Sequence, residues 1–307
     1  MNGFTASNVP DQHGRCFIVT GANTGIGFEI ARVLAARGAR VLLACRDGSK
    51  AAAAIAEINR ATSGADVSYL PLDLGDLSSV RQAVEIAGRE PHLDVLINNA
   101  GVIMAPLSFT RDGYELQFGV NHLGTFALTG LLLPKLAESP GARVVVTSSL
   151  AHKGGKIDFA NLDAAAGYGR IAAYGQSKLA LMLFFFELDR RLRAAKSTIA
   201  AMGCHPGMAG TVGAARHFPK FLQLLTPVMM PIGNLFVNPP AGAAWPALQA
   251  ATWEHARGGA YYGPQGIGEI RGPSGEAKRS ASAEDVAVAR KLWEVSIAMT
   301  GVDPGLP

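Results

Sequence analysis

A short apolar run, Phe17-Ile-Val-Thr20, stops at a turn with three glycines in eight residues, Thr20-Gly-Ala-Asn-Thr-Gly-Ile-Gly27. Ile26, Ile30, Val33 and Leu34 then recur at helical spacing. Strand, glycine turn and helix in that order constrain the fold strongly, because the helix must pack back on a sheet and the next strand then runs parallel to the first. Glycine allows tight turning and lets backbone amides approach an anion at the helix N-terminus. The spacing of Gly21, Gly25 and Gly27 is G-x-x-x-G-x-G, with Asn23, Thr24 and Ile26 completing the turn. A tight connection alone would also account for three glycines; the strand before and helix after favour a dinucleotide cradle.

The alternation continues. Strands are expected at 41–45, 67–72, 95–97 and 143–147, with helices from 49 to about 60, along the face of Leu77, Val80, Val84 and Ala87, from about 116 to 136, and from near Tyr174. Weaker signals put strands at 198–202 and 259–262. Near-continuous apolar strands alternating with helices predict an α/β fold, a Rossmann-like doubly wound parallel sheet flanked by helices on both faces. No linker rich in Pro, Gly or charge precedes residue 200, and no repeat occurs. One domain over 15–307 is expected, after an N-terminal extension over 1–14.

Composition narrows the function classes. Hydrophobic residues at 49% and charged residues at 17% suit a soluble globular enzyme. The net charge of +4 is dispersed and no run of five Lys or Arg occurs, which argues against nucleic acid. Cys16, Cys45 and Cys204 show no C-x-x-C, and the histidines no ligand spacing, so no metal is expected and a reducing, cytoplasmic setting is. The polar stretch 1–15 has no apolar core of a signal peptide or anchor. Residues 179–186 are too few to span a bilayer and lie beside Glu187, Asp189, Arg190 and Arg191. The apolar stretch 218–236 is broken by Lys220, Pro227, Pro231 and Gly233, which predicts an irregular flap and leaves peripheral membrane contact open. Self-association is also left open.

Chemistry is expected at the strand ends. The second strand ends at Cys45-Arg46, where a carboxylate suits NAD and a cation accommodates the 2′-phosphate of NADP(H). Arg46 therefore favours NADP(H), against the plainer reading of a surface arginine paired with Asp47 or Glu29. Asp73-Leu74 ends the third strand, where Asp73 either caps the next helix or meets an adenine. Asn98-Asn-Ala-Gly101 follows the fourth, and Ser148 and Ser149 close the fifth. Tyr174 has Lys178 four residues on along a helix, and a phenol with an ordinary pKa of about 10 needs a cationic neighbour to ionise usefully.

These motifs, in this order over about residues 15–212, resemble the short-chain dehydrogenase/reductase family. Ala44-Cys-Arg46, Phe118-Gly-Val-Asn-His-Leu-Gly124 and Tyr174-Gly-Gln-Ser-Lys-Leu179 are similar to its retinol dehydrogenase and WW-domain oxidoreductase subgroup. The resemblance implies Tyr174 as general acid or base, Lys178 lowering its pKa and bonding the nicotinamide ribose, Ser149 holding the substrate oxygen, with Ser148 its rival, and Asn121 in a proton relay. It implies Asn99, Ala100 and Gly101 along the ribose, and Pro206, Gly207 and Thr211 near the carboxamide. Two departures are Thr125, where the subgroup commonly has His, and Phe28, where a basic residue is usual. Residues 151–173 are expected to edge the substrate site. Met208, Phe218, Leu222, Leu225, Met229, Met230 and Phe236 predict an apolar cover around 208–240, hence a small lipophilic carbonyl or alcohol as substrate, unless they form core or a subunit contact. A non-catalytic dinucleotide-binding sensor or scaffold with the same fold is the alternative.

Overall fold

The computed structural model describes residues 3–208 and 237–306. Its strands are β1 (Cys16–Thr20), β2 (Arg40–Cys45), β3 (Val67–Pro71), β4 (Val95–Asn98), β5 (Arg143–Thr147), β6 (Ala200–Cys204), β7 (Tyr261–Pro264) and β8 (Ser274–Glu276). All eight form one sheet in the order β3-β2-β1-β4-β5-β6-β7-β8, parallel except for β8. The expected Rossmann-like α/β architecture is therefore present. Beside β1 the order reverses, with β2 on one side and β4 on the other, and this opens a crevice at the C-terminal strand ends.

Side chains alternate across the sheet and fill two cores. Ile18, Leu42, Leu96, Val144 and Val146 face one side with α3 (Leu77–Ala87), α4 (Leu116–Ala137), α5 (Arg170–Ala194) and α7 (Val286–Thr300). Phe17, Val19, Val41, Leu43, Val95, Ile97 and Val145 face the other with α1 (Gly25–Ala35), α2 (Gly48–Ala61) and α6 (Trp245–Thr252). Burial on both faces is why these strands read as unbroken apolar runs. Among the described residues two helices, α4 and α5, are long and apolar enough to cross a membrane, but 83% and 72% of their apolar windows are buried within the protein, so packing accounts for their composition.

Several boundaries differ from expectation. Helix α5 begins at Arg170, one turn before Tyr174, because Ile171-Ala-Ala173 continues the helix back to Gly169. Strands β6 and β7 each start two residues late. The antiparallel β8 and helices α6 and α7 were not anticipated. Residues at the N-terminus pack on the body: Phe4 pairs with Ser274 of β8 through two backbone hydrogen bonds of 2.8 Å, and both Phe4 and Val9 are buried.

Helix α4 contains a π-helical turn, Gly119–Gly124, that brings it against the loop after β3. A Cβ on Gly124 would land on the Leu74 carbonyl oxygen and lie 2.9 Å from Leu74 Cβ. Gly124→Ala is expected to destabilise the protein by about 3 kcal/mol, the upper range for overpacking. Urea denaturation checks this, and an unchanged midpoint would refute the close approach.

Candidate active site

The glycine turn lies where β1 meets α1. Gly21 (φ +68°) and Gly25 (φ +60°) take left-handed conformations open to glycine. A Cβ on Gly27 would collide with the Gly21 carbonyl oxygen and sit 2.6 Å from Asn99 Nδ2. Thr24 is the N-cap of α1, yet its hydroxyl makes no capping bond and the first turn carries no acidic residue. The first amides of α1 thus keep their positive end available to an anion, flanked by half-buried Asn23 and Ile26.

Strand β4 is tied to this turn. Thr20 Oγ1 accepts from the amides of Asn99 and Ala100, both at 2.9 Å, and Asn99 Nδ2 donates to the Thr20 carbonyl at 2.9 Å. Gly101 completes the floor: a Cβ there would stand 3.1 Å from Asn121 Oδ1 and 3.4 Å from Lys178 Nζ. A bare glycine backbone between these two polar side chains suits the close approach of a ribose. With the uncapped helix end and the space only glycine leaves at Gly27, the residues present fit a dinucleotide.

At the far end of the crevice, Arg46 is 80% exposed and points its guanidinium toward Asp73, Nη1 to Oδ2 3.8 Å. Its suggested partners are engaged elsewhere, Asp47 with Lys50 at 3.0 Å and Glu29 with Arg32 at 2.7 Å. Asp73 does not cap α3. That task falls to Asp76, which accepts from the amides of Ser78 and Ser79, while Asp73 accepts from Gly75 N. Leu74 is buried under Gly124.

Ser149, Tyr174, Lys178 and Asn121 come together at the C-terminal ends of β4 and β5. The Ser149 hydroxyl accepts from Ala151 N at 3.2 Å and acts to lower the pKa of the nearby Tyr174 phenol. Ser148 is buried, and its hydroxyl donates to the Lys178 carbonyl at 2.8 Å. Its hydroxyl is thus committed to the helix, whereas the Ser149 hydroxyl only accepts from Ala151 N and keeps its proton to donate. Asn121, in the π-helical turn, accepts from Val102 N at 2.7 Å and donates to the Val102 carbonyl and Ser177 Oγ.

The net shift of the phenol pKa is upward, not the lowering expected from a lysine four residues on. Lys178 Nζ lies 5.9 Å from the Tyr174 ring centroid and donates to the Thr147 carbonyl at 3.1 Å. Burial pushes the Tyr174 phenol up, against a lowering by Ser149, and pushes the Lys178 ammonium down to about 8. Desolvation outweighs Ser149 at the phenol and Cys204 at the ammonium.

The segment after β6 approaches from the other side. Gly207 (φ +76°) sits where a Cβ would strike the Ile270 carbonyl oxygen, and the Pro206 carbonyl accepts from Asn238 Nδ2 at 2.8 Å. Thr211 and the apolar positions from Phe218 to Phe236 lie outside the described residues, while Met208 is half exposed. From the 151–173 segment, Gly154, Asp158 and Asn161 line a surface groove with Ala173, next to Tyr174. The three cysteines are free and buried. Among the described residues no cluster could hold a metal.

Two site residues were given no role in the sequence reading. Thr20 is the hydroxyl that locks β4 to the glycine turn, and Ser177 holds Asn121; both are visible inside the motifs, as the first residue of the glycine turn and the residue before Lys178.

The family model for short chain dehydrogenases matches residues 15–220. Human retinol dehydrogenase 13 is 42% identical over 294 residues, covering 94% of this chain and 86% of its own length, and human retinol dehydrogenase 11 is 41% identical with the same coverage. A crystal structure of a protein from Mycobacterium paratuberculosis superposes with a TM-score of 0.81 at 38% identity, covering 98% of both chains. The Pseudomonas aeruginosa RhlG complex with NADP superposes with a TM-score of 0.60 at 25% identity, over 80% of this chain and 92% of that one.

Proposed function

The chain belongs to the short-chain dehydrogenase family, in its retinol-dehydrogenase-like branch, and from that premise we propose that it is an NADP(H)-dependent oxidoreductase interconverting a small lipophilic ketone or aldehyde and its alcohol. That it is a dehydrogenase/reductase follows from the family; the cofactor preference, the substrate class and the residue roles are the reading developed here. The observation that carries it is the buried Lys178 ammonium 5.9 Å from the Tyr174 ring centroid and facing the bare Gly101 backbone beside Asn121, with the glycine cradle across the same crevice.

The turn at Gly21, Asn23, Thr24, Gly25, Ile26 and Gly27 would hold the pyrophosphate, and Arg46 the 2′-phosphate. Asp73 and Leu74 would border the adenine, Asn99, Ala100, Gly101 and Lys178 the riboses, and Pro206, Gly207 and Thr211 the carboxamide. The nicotinamide, when bound, supplies or accepts the hydride. The protein handles the proton. In reduction, Ser149 Oγ holds the carbonyl oxygen and the Tyr174 hydroxyl delivers its proton to that oxygen. Lys178, close under the ring, then stabilises the phenolate, and Asn121, held by Val102 and Ser177, would position the water that returns the proton. Because burial keeps Tyr174 protonated at neutral pH, the acid form needed for carbonyl reduction is the resting form.

The test is NADPH oxidation against a panel of lipophilic ketones and aldehydes. Turnover is expected with NADPH in preference to NADH; tight NADPH binding with no turnover of any member would overturn the enzyme reading in favour of a sensor. Arg46→Ala is expected to weaken NADPH by about tenfold, the roughly 1.5 kcal/mol of one charge-assisted contact at an exposed position, and to leave NADH nearly unchanged. Equal weakening of both, measured by cofactor fluorescence, would refute the 2′-phosphate assignment.

A further inference from the structure

Behind the candidate serine lies a polar cluster, running from buried histidines to an exposed lysine, that the mechanism above leaves unused. It draws on three loops: the turn after β5, the segment after β6, and the connection between β7 and β8. Glu269, in that last connection, stands at their meeting point. Its Oε1 accepts from Lys278 N at 2.7 Å, its Oε2 pairs with Lys153 Nζ at 3.0 Å, and Oε2 lies 3.6 Å from His205 Nε2.

Each partner leads to a working segment. Lys153 is four residues past Ser149, and between them the fully buried His152 donates Nδ1–H to the Ser149 carbonyl at 2.6 Å. His205, also fully buried, accepts from Gly207 N on Nδ1 at 3.2 Å, which leaves its proton on Nε2, facing the carboxylate. Among the described residues Nε2 has no other partner. Glu269 is thus linked on one side to the loop carrying the substrate-oxygen donor and on the other to the left-handed Gly207.

Backbone conformation singles out the same residue. Glu269 has φ +59°, a left-handed conformation that a side chain makes costly, in a loop that already has glycine at 266, 268 and 272. A carboxylate held where glycine would be more comfortable indicates that its contacts compensate for the strain.

We propose that Glu269 is a positioning residue that sets the Ser149 segment and the Pro206–Gly207 segment in register, so that the group holding the substrate oxygen faces the nicotinamide end of the cofactor. This rests on the oxidoreductase reading above. Glu269 touches neither substrate nor cofactor in this role; it acts through Lys153 and His205.

The informative variant is Glu269→Gly, which removes the carboxylate and relieves the backbone at once. Circular dichroism is expected to show a native fold. The NADPH dissociation constant, read by cofactor fluorescence without any turnover, is expected to rise about fivefold, and kcat at saturating NADPH to fall at least tenfold. Glu269→Gln keeps one acceptor oxygen but loses the charge and the second acceptor, so it is expected to fall between the parent and Glu269→Gly in both readouts. Lys153→Met cuts only the Ser149 side, so kcat is expected to fall about threefold with NADPH binding unchanged. NADPH binding and kcat both within twofold of the parent in folded Glu269→Gly would overturn the proposal. Should that variant not fold, Lys153→Met with unaltered kcat overturns it instead. Tyr174→Phe in the same assays tests the underlying reading separately, because it is expected to abolish turnover and leave NADPH binding intact. If the parent turns over no carbonyl, an NADPH dissociation constant unchanged in Glu269→Gly still refutes the positioning role.

Discussion

Replacing Tyr174 with phenylalanine is expected to lower carbonyl reduction by about 10²- to 10⁴-fold, the usual contribution of a positioned acid or base. The ring is 7% exposed and packed, so removing one hydroxyl leaves the fold and the cofactor cradle in place. Fluorescence titration should show NADPH binding within twofold of the parent. The parent's pH profile should also be informative. With the phenol pushed up by burial, reduction should stay level through neutral pH, and the reverse oxidation, which needs the phenolate, should rise as the solution becomes alkaline. A Tyr174→Phe variant that reduces carbonyls at the parent's rate would sink the assignment.

Acid should destabilise the protein as soon as the pH falls below 6.5. His122 is wholly buried among Phe118, Phe126 and Phe184, with Nε2 on Ser296 Oγ at 2.7 Å, and burial holds it down at about 3. Burial likewise holds His205 down at about 4, with the Glu269 charge pulling the other way. Both values lie below the ordinary 6.5, so below that pH the unfolded chain binds protons the folded one refuses. Stability is full above pH 6.5 and is lost as pH falls toward 4 and 3. At pH 4.5 each histidine gives up about two pKa units at 1.36 kcal/mol each, together about 5 kcal/mol, a large share of the 5–15 kcal/mol typical of a whole protein. Urea unfolding at stepped pH measures this. His122→Leu is expected to halve the loss between pH 6.5 and 4.5; an equally steep loss in the variant would show that His122 is not a source.

The sheet was legible in the sequence wherever a strand is buried on both faces. Arg143–Thr147 shows this best, since its expected and observed limits coincide. Strand β8 escaped because Ser274–Glu276 is three residues long with a glycine in the middle, which carries no pattern. Helix α7 buries Ser296 and Thr300 on the same face as Leu292 and Trp293, and those two hydroxyls blunt its apolar period. In the candidate site, Ser149, Tyr174 and Lys178 could be picked out because each belongs to a short contiguous motif. Whether the phenol goes up or down could not be read that way, because the motif shows a lysine four residues on, while the direction is set by how much of the whole protein covers the ring. Glu269 was equally out of reach, 116 positions from the lysine it pairs with.

The pairing of Phe4 with Ser274 bears on how the molecule meets its surroundings. Strand β8 is one margin of the sheet, and the exposed rim of a strand is a template onto which other chains can add. The first residues of this chain occupy that rim and bury Phe4 as they do so. Residues that lie ahead of every recognisable motif therefore cover part of that rim, and trimming them is expected to raise the tendency of the protein to associate.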